Sequence, residues 1–268
     1  MSEKLNLKTP ITYYGGKQTM CSKIIPLIPE HRLYCEPFCG GAAIFWAKEP
    51  SELEVLNDTN RELINFYQVA KSDFTSLEKE IRITLNSRDS HRKASTIYNN
   101  PDMFSEVKRA WALWVMSSQS FGSQLDSSWG FDKGKNRTTK KVTNARESFT
   151  EDLAIRLQSV SIECADACYI IRSRDTEDSF FYADPPYYNA NMGHYDGYSL
   201  ADFQELLDTL ANIKGKFLLS SYPSDILTEY TKKFGWKTKQ FDMRISVNAK
   251  NGQKQQRKME VLTANYDI

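Results

Sequence analysis

The chain has 268 residues, 35 Lys and Arg against 34 Asp and Glu for a formal net charge of +1, and 40% hydrophobic residues. That length is enough to bury a sizeable core, either as one large domain or as one domain with an inserted subdomain. The near balance of charge excludes a uniformly basic nucleic-acid coat, though not a local patch. No run approaches the ~20 apolar residues that span a bilayer, and Met1-Ser2-Glu3-Lys4-Leu5 has no apolar stretch behind it, so a cytoplasmic protein without a membrane partner is expected. The five cysteines, Cys21, Cys35, Cys39, Cys164 and Cys168, read as reduced thiols. Their Cys-x3-Cys pairs lack zinc-knuckle spacing, so no metal site is expected.

The first informative stretch is Thr12-Tyr13-Tyr14-Gly15-Gly16-Lys17, ahead of a helical pattern from Met20 to Leu27. Two glycines permit a tight turn whose backbone approaches a ligand, with Lys17 available for an anion; a turn bearing a solvated lysine has the same composition. Next, Arg32 to Trp46 predicts a short strand ending near Glu36, a turn through Pro37-Phe38-Cys39-Gly40-Gly41, and a helix from about Ala42. This is the strand-turn-helix opening of a nucleotide-binding α/β unit. It is neither Gly-x-Gly-x-x-Gly nor a Walker motif, so dinucleotides and triphosphates are not indicated.

A second strand, Glu54-Val55-Leu56, stops at Asn57-Asp58-Thr59-Asn60, and a helix is predicted from about Arg61 to Lys71. Asp58 falls at the end of the second strand, where a doubly wound fold places the acid that accepts from ribose hydroxyls; an aspartate here equally serves as a helix N-cap. From Asp73 to Ser120 the pattern is helical, with Trp111 and Trp114 at core spacing. Gly122 to Asn144 is rich in Gly, Ser, Thr and Asn. From Lys133 to Arg146, Lys133, Lys135, Arg137, Lys140, Lys141 and Arg146 follow one another without an intervening acid, which predicts an exposed basic loop or hairpin suited to phosphate contact.

Regular alternation resumes with a helix near Asp152 to Leu157, a strand at Val160-Ser161-Ile162, and Asp166, which either lines the strand-end crevice or caps the next helix. Phe180-Phe181-Tyr182-Ala183-Asp184-Pro185-Pro186-Tyr187 is then an aromatic strand that ends in one carboxylate. Two prolines exclude both helix and ladder pairing, so the backbone leaves the sheet rigidly with an acid at its edge. Tyr188 to Tyr198 lacks apolar periodicity and predicts a lid, with Tyr195 available to cover a base. A helix capped by Ser199, a strand from Lys216 to Ser221, a helix from Asp225 to Phe234 and two closing strands, Thr238 to Ile245 and Glu260 to Tyr266, complete the chain.

Together, Tyr14-Gly15-Gly16-Lys17, Glu36-Pro37-Phe38-Cys39-Gly40-Gly41, Asn57-Asp58 with Asn60 and Leu63-Ile64-Asn65, and Asp184-Pro185-Pro186-Tyr187 resemble the Dam-like (D12 class) DNA adenine N6-methyltransferases in residues and order. The resemblance implies an α/β fold: a Rossmann-like methyltransferase sheet with helices on both faces and an inserted, mainly helical target-recognition region with a basic loop. Residues 1–72 and 150–268 would form the catalytic domain and 73–149 the insertion. It implies methyl transfer from S-adenosyl-L-methionine to the N6 amine of a flipped-out adenine in double-stranded DNA, in a nucleoid-associated protein of a bacterial or phage-infected cell.

By the same resemblance Asp184, Pro185 and Tyr187 are catalytic. Tyr13, Tyr14, Gly15, Lys17, Glu36, Phe38, Cys39, Gly40, Asp58, Asp166 and Asp184 line the cofactor site, while Lys133, Lys135, Arg137, Lys140, Lys141 and Tyr195 meet DNA. The sequence departs from many relatives in carrying Tyr13-Tyr14 before its glycines, in the glycine spacing around Cys39, and in a middle region that does not align with readers of GATC. The target sequence and any cognate restriction nuclease are therefore not transferable. Methylation of RNA or of cytosine N4, or a catalytically silent DNA-binding module, are the competing expectations.

Overall fold

In the computed structural model, residues 7–13, 15–134, 136–188, 198–244 and 257–268 are described. Among these residues seven strands, β1 (Leu33–Glu36), β2 (Leu53–Asn57), β3 (Val160–Glu163), β4 (Ser179–Ala183), β5 (Lys216–Ser221), β6 (Lys237–Arg244) and β7 (Arg257–Ala264), lie in the order β3-β2-β1-β4-β5-β7-β6. The α-helices are α1 (Cys21–Ile24), α2 (Ala43–Ala47), α3 (Arg61–Ser72), α4 (Phe74–Arg82), α5 (Arg88–Asn99), α6 (Glu106–Gln119), α7 (Arg137–Glu147), α8 (Glu151–Leu157), α9 (Ala167–Arg174), α10 (Leu200–Ala211) and α11 (Asp225–Phe234). Among the described residues no helix is long and apolar enough to cross a membrane. The chain divides into two compact units. One comprises Met1–Ile25, Gly40–Pro50 and Asp58–Cys164; the other comprises Pro26–Cys39, Ser51–Asn57 and Ala165–Ile268.

The second unit carries most of the sheet. β2, β1, β4 and β5 run parallel, and β7 inserts antiparallel between β5 and β6. Parallel strands are covered on both faces and therefore read as continuous apolar runs. All five residues of β4 are buried, including Phe180, Phe181 and Tyr182. α10 places Phe203, Leu206, Leu207 and Leu210 on one stripe, and these pack in a single core with Phe181, Phe217, Leu219 and Trp236. Burying each such side chain contributes about 1.5–3 kcal/mol. The entry to β5 requires glycine at Gly215, since a Cβ there would stand 2.6 Å from the Ser179 carbonyl oxygen.

The first unit is mainly helical. α3 starts where the Asn60 side chain accepts from the backbone N–H groups of Glu62 and Leu63, so the cap is Asn60 and not Asp58. α3 is tied to α6 by a two-pronged ion pair, Arg109 Nε to Glu62 Oε2 at 2.9 Å and Arg109 Nη2 to Glu62 Oε1 at 2.6 Å. Trp114 is fully buried, as its helical spacing predicts, and Phe149 stacks on Phe74 with ring centroids 5.0 Å apart.

The expected basic loop is corrected in its second half, because Arg137 to Glu147 form α7. Only Val142 of that helix is buried, so it offers almost no apolar period for sequence reading to detect. Of the predicted lid, Tyr188 to Tyr198, residues 189–197 lie outside the described residues.

Candidate active site

In the second unit the strand order reverses between β1 and β4: β2 lies on one side of β1, and the chain returns with β4 on the other. Open α/β sheets bind ligands at such a switch point, outside the carboxyl ends of the strands. Cys35 pairs with Phe181, so Glu36 and Asp184 leave neighbouring strands at the same sheet edge. The Glu36 carboxylate is buried and accepts from the Tyr34 hydroxyl at 2.7 Å. Pro185 is buried behind Asp184, which fixes the backbone as it exits β4.

The Tyr187 hydroxyl lies 3.3 Å from Asp184 Oδ1 and 2.5 Å from Glu260 Oε1, with its ring edge-on to Tyr222 at 4.3 Å. Burial, with Asp184 and Glu260 adding to it, pushes the Tyr187 phenol well above its ordinary range, so it remains a protonated donor. Burial and Asp184 do the same to Tyr182, whose hydroxyl meets Ser220 at 3.3 Å. Glu260 was seen in the sequence only as the start of a closing strand. Antiparallel β7 sets Val261 opposite Ser221, which brings this early residue to the carboxyl edge of the parallel strands.

Asn57, fully buried, ties the loops at that edge. Its Nδ2 donates to the Pro37 and Ala165 carbonyls at 2.9 and 3.0 Å, its Oδ1 accepts from Ala165 N, and its backbone carbonyl accepts from Cys39 N. Phe38 stands edge-on to Tyr198. Asp166 caps α9 through Oδ1, which accepts from Tyr169 N at 2.7 Å.

In the first unit the structure brings together Tyr13, Gly40 and Asp58. Gly40 has φ +46°, and a Cβ on it would stand 3.1 Å from the Tyr13 ring. Its N–H donates to Asp58 Oδ2 at 3.0 Å and its carbonyl accepts from the Tyr67 hydroxyl at 2.8 Å. Asp58 Oδ1 accepts from Asn60 N at 2.9 Å. Burial raises the Asp58 carboxyl, while the backbone N–H groups of Asn60, Gly40 and Thr59 pull it back down.

Two residues beyond Gly40, Ala42 is also left-handed at φ 49°, a strain of about 1–2 kcal/mol of the kind that collects at ligand-contacting turns. Asn60 Nδ2 donates to the hydroxyls of Tyr13 and Tyr98, both at 3.2 Å, and Tyr98 had no sequence signal beyond its place on a helix. Lys17 is buried, with Nζ donating to the Gly15 carbonyl at 3.2 Å.

The basic segment of this unit is not uniform. Lys133, Arg137 and Lys140 are exposed. Lys141 turns inward, donating to the Ser117 carbonyl at 3.1 Å and to Ser123 Oγ at 2.6 Å, and burial lowers its amine to about 8. Arg146 donates to the Thr84 carbonyl. Tyr14, Lys135 and Tyr195 lie outside the described residues. A small hairpin, closed by the Ser120–Trp129 bridge, precedes this segment. It exposes Phe121 (56%) and Phe131 (55%) and sets the Arg88 guanidinium over Trp129 at 5.0 Å. Sequence reading missed the aromatic part of this surface, because Phe121, Trp129 and Phe131 lie in a stretch that otherwise reads as turn.

A carboxylate and a buried proline at the switch point mark a candidate active site on an α/β sheet. The profile of the D12 class N6 adenine-specific DNA methyltransferase matches residues 13–245. The Type II methyltransferase M1.LlaDCHI of Lactococcus lactis subsp. cremoris is 27% identical over 254 residues, covering 84% of each chain. M.MjaIII of Methanocaldococcus jannaschii is 25% identical over 293 residues, covering 98% of this chain and all of that one. The DNA adenine methylase of Vibrio cholerae is 26% identical over 210 residues, 74% of each. The chain belongs to the D12 class of N6 adenine-specific DNA methyltransferases, and it is an enzyme that methylates adenine in DNA.

Proposed function

We propose that the chain transfers a methyl group from S-adenosyl-L-methionine to the N6 amine of an adenine flipped out of double-stranded DNA. The observation that carries this reading is Asp184, held at the end of a fully buried parallel strand, with buried Pro185 after it. The lone pair of an exocyclic amine is delocalised into the purine. Acceptors that hold its two hydrogens favour a more tetrahedral, more nucleophilic nitrogen. The Asp184 carboxylate takes one hydrogen and the Pro185 carbonyl the other, and both gain strength as positive charge develops on nitrogen. Tyr187 presents its ring to the base. Extrusion costs a few kcal/mol, offset by stacking and edge contacts.

The cofactor's requirements fit the residues present. When bound, it supplies an electrophilic methyl group. The Asp58 carboxylate accepts backbone N–H groups on both oxygens, and of its roughly four lone pairs at least one is left for a ribose hydroxyl. Gly40 lets the Tyr13 ring pack directly on the turn, since a Cβ there would stand 3.1 Å from that ring. Tyr13 and Lys17 hold the adenine and methionine ends, Phe38 to Gly40 and Glu36 line the pocket, and Asp166 borders it. Residues 73–149 recognise the target, with Lys133, Arg137 and Lys140 on phosphates and the Phe121 hairpin alongside. Mass spectrometry of nucleosides after incubation with labelled S-adenosyl-L-methionine and either duplex DNA or RNA tests this. Labelled N6-methyladenine from the duplex supports it, and label only in RNA or only on cytosine overturns it.

A further inference from the structure

A phenol has one hydrogen to give. The Tyr187 hydroxyl stands between two carboxylates, and Glu260 Oε1 at 2.5 Å is much the nearer to it, with Asp184 Oδ1 at 3.3 Å. A hydrogen bond to a carboxylate strengthens steeply as it shortens, so the hydrogen goes to Glu260. Glu260 is 7% exposed, and its place on β7 is set by pairing on both sides, with Phe241 opposite it and its neighbour Val261 opposite Ser221. The Tyr187 ring is fixed in turn against Tyr222. None of the Asp-Pro-Pro-Tyr residues supplies this acceptor; it comes from the far end of the chain.

We propose that Glu260 is a positioning residue for methyl transfer: it draws the Tyr187 hydrogen to itself and so keeps it off Asp184, whose Oδ1 then serves the target amine. The inference rests on the reading of Asp184 as the amine's acceptor. Without the Glu260 charge, Asp184 becomes the charged acceptor beside the phenol. The Tyr187 hydroxyl then competes with the adenine amine for Asp184, and also donates into it, which weakens it as an acceptor when positive charge develops on nitrogen. Binding of the cofactor is untouched by this competition. The effect therefore falls on kcat and not on the KM for S-adenosyl-L-methionine.

The test is a kinetic cycle on the full chain with duplex DNA, using Glu260→Gln, the double variant Glu260→Gln with Tyr187→Phe, and Asp184→Asn. Glu260→Gln is expected to lower kcat by about ten- to hundredfold with KM for S-adenosyl-L-methionine unchanged. The double variant, which lacks the misdirected hydroxyl, is expected to recover several-fold over Glu260→Gln, which a merely structural glutamate would not permit. Where Glu260→Gln does not fold, Glu260→Asp retains the charge but withdraws the acceptor by one methylene, and the same relief by Tyr187→Phe is expected. A double variant no faster than the single, in an assay where Asp184→Asn is inactive, overturns the role of Glu260 alone. Near-normal turnover by Asp184→Asn overturns the reading of Asp184 beneath it.

Discussion

Asp58 and Asp184 each follow a strand, β2 and β4, and the two acids are held in different ways. Asp58 is clamped by backbone: Gly40 N and Asn60 N each take one of its oxygens. Asp184 is approached by a side chain, the Tyr187 hydroxyl, which has a nearer acceptor in Glu260. A carboxylate fixed by backbone amides is a rigid pair of acceptors suited to hydroxyls that stay in place through a reaction. One whose neighbouring donor is drawn elsewhere suits a partner that arrives, changes charge and leaves. The contrast fits the roles proposed for them, binding for the first acid and turnover for the second.

Substitutions can break that division, and the largest effect is expected at Asp184. Asp184→Asn should lower single-turnover methylation on the order of 10³-fold, because a preorganised acceptor to developing charge is removed; a quench-flow assay with duplex DNA measures it. Arg109→Ala leaves Glu62 without its ion-pair partner in a mostly buried setting and should destabilise the protein by roughly 3 kcal/mol, read from denaturant unfolding. Asp58→Ala should weaken S-adenosyl-L-methionine binding by about ten- to hundredfold in calorimetry, the value of hydrogen bonds to a charged acceptor.

Smaller effects separate the two kinds of lysine on α7. Neutralising Arg137 and Lys140 should flatten the dependence of log K for DNA on log salt by up to ~0.9 for each phosphate that is no longer neutralised. Lys141→Ala should leave that slope unchanged, since its amine is engaged by Ser117 and Ser123. Burial lowers Lys141 to about 8 from an ordinary 10.5. Between those values the unfolded chain binds the extra proton, so stability should rise with pH across that window, by at most ~1.4 kcal/mol per pH unit, and Lys141→Met should remove the rise. Thermal melts at stepped pH provide the comparison.

Much of this was legible because it is local. Phe180 to Tyr187 announces its strand, its exit and its acid in eight consecutive residues, and β5 and α11 span the residues that periodicity predicted. What escaped depends on partners distant in sequence. Asn60, not Asp58, caps α3, because Asp58 is engaged by Gly40, eighteen positions away. Glu260 reaches Tyr187 across seventy-three positions, and only the antiparallel insertion of β7 brings it there. α7 was read as loop because one buried residue, Val142, gives no period, and Lys141 was read as surface because its neighbours in sequence are.

The division between the two acids is tested most directly by single-turnover methylation of duplex DNA at saturating S-adenosyl-L-methionine, with Asp58→Ala and Asp184→Asn run side by side. The predicted result is a rate for Asp58→Ala that returns to within a few-fold of the unaltered enzyme once cofactor saturates, while Asp184→Asn remains slow at every cofactor concentration. A rate for Asp184→Asn that climbs to the unaltered value with added cofactor would contradict it.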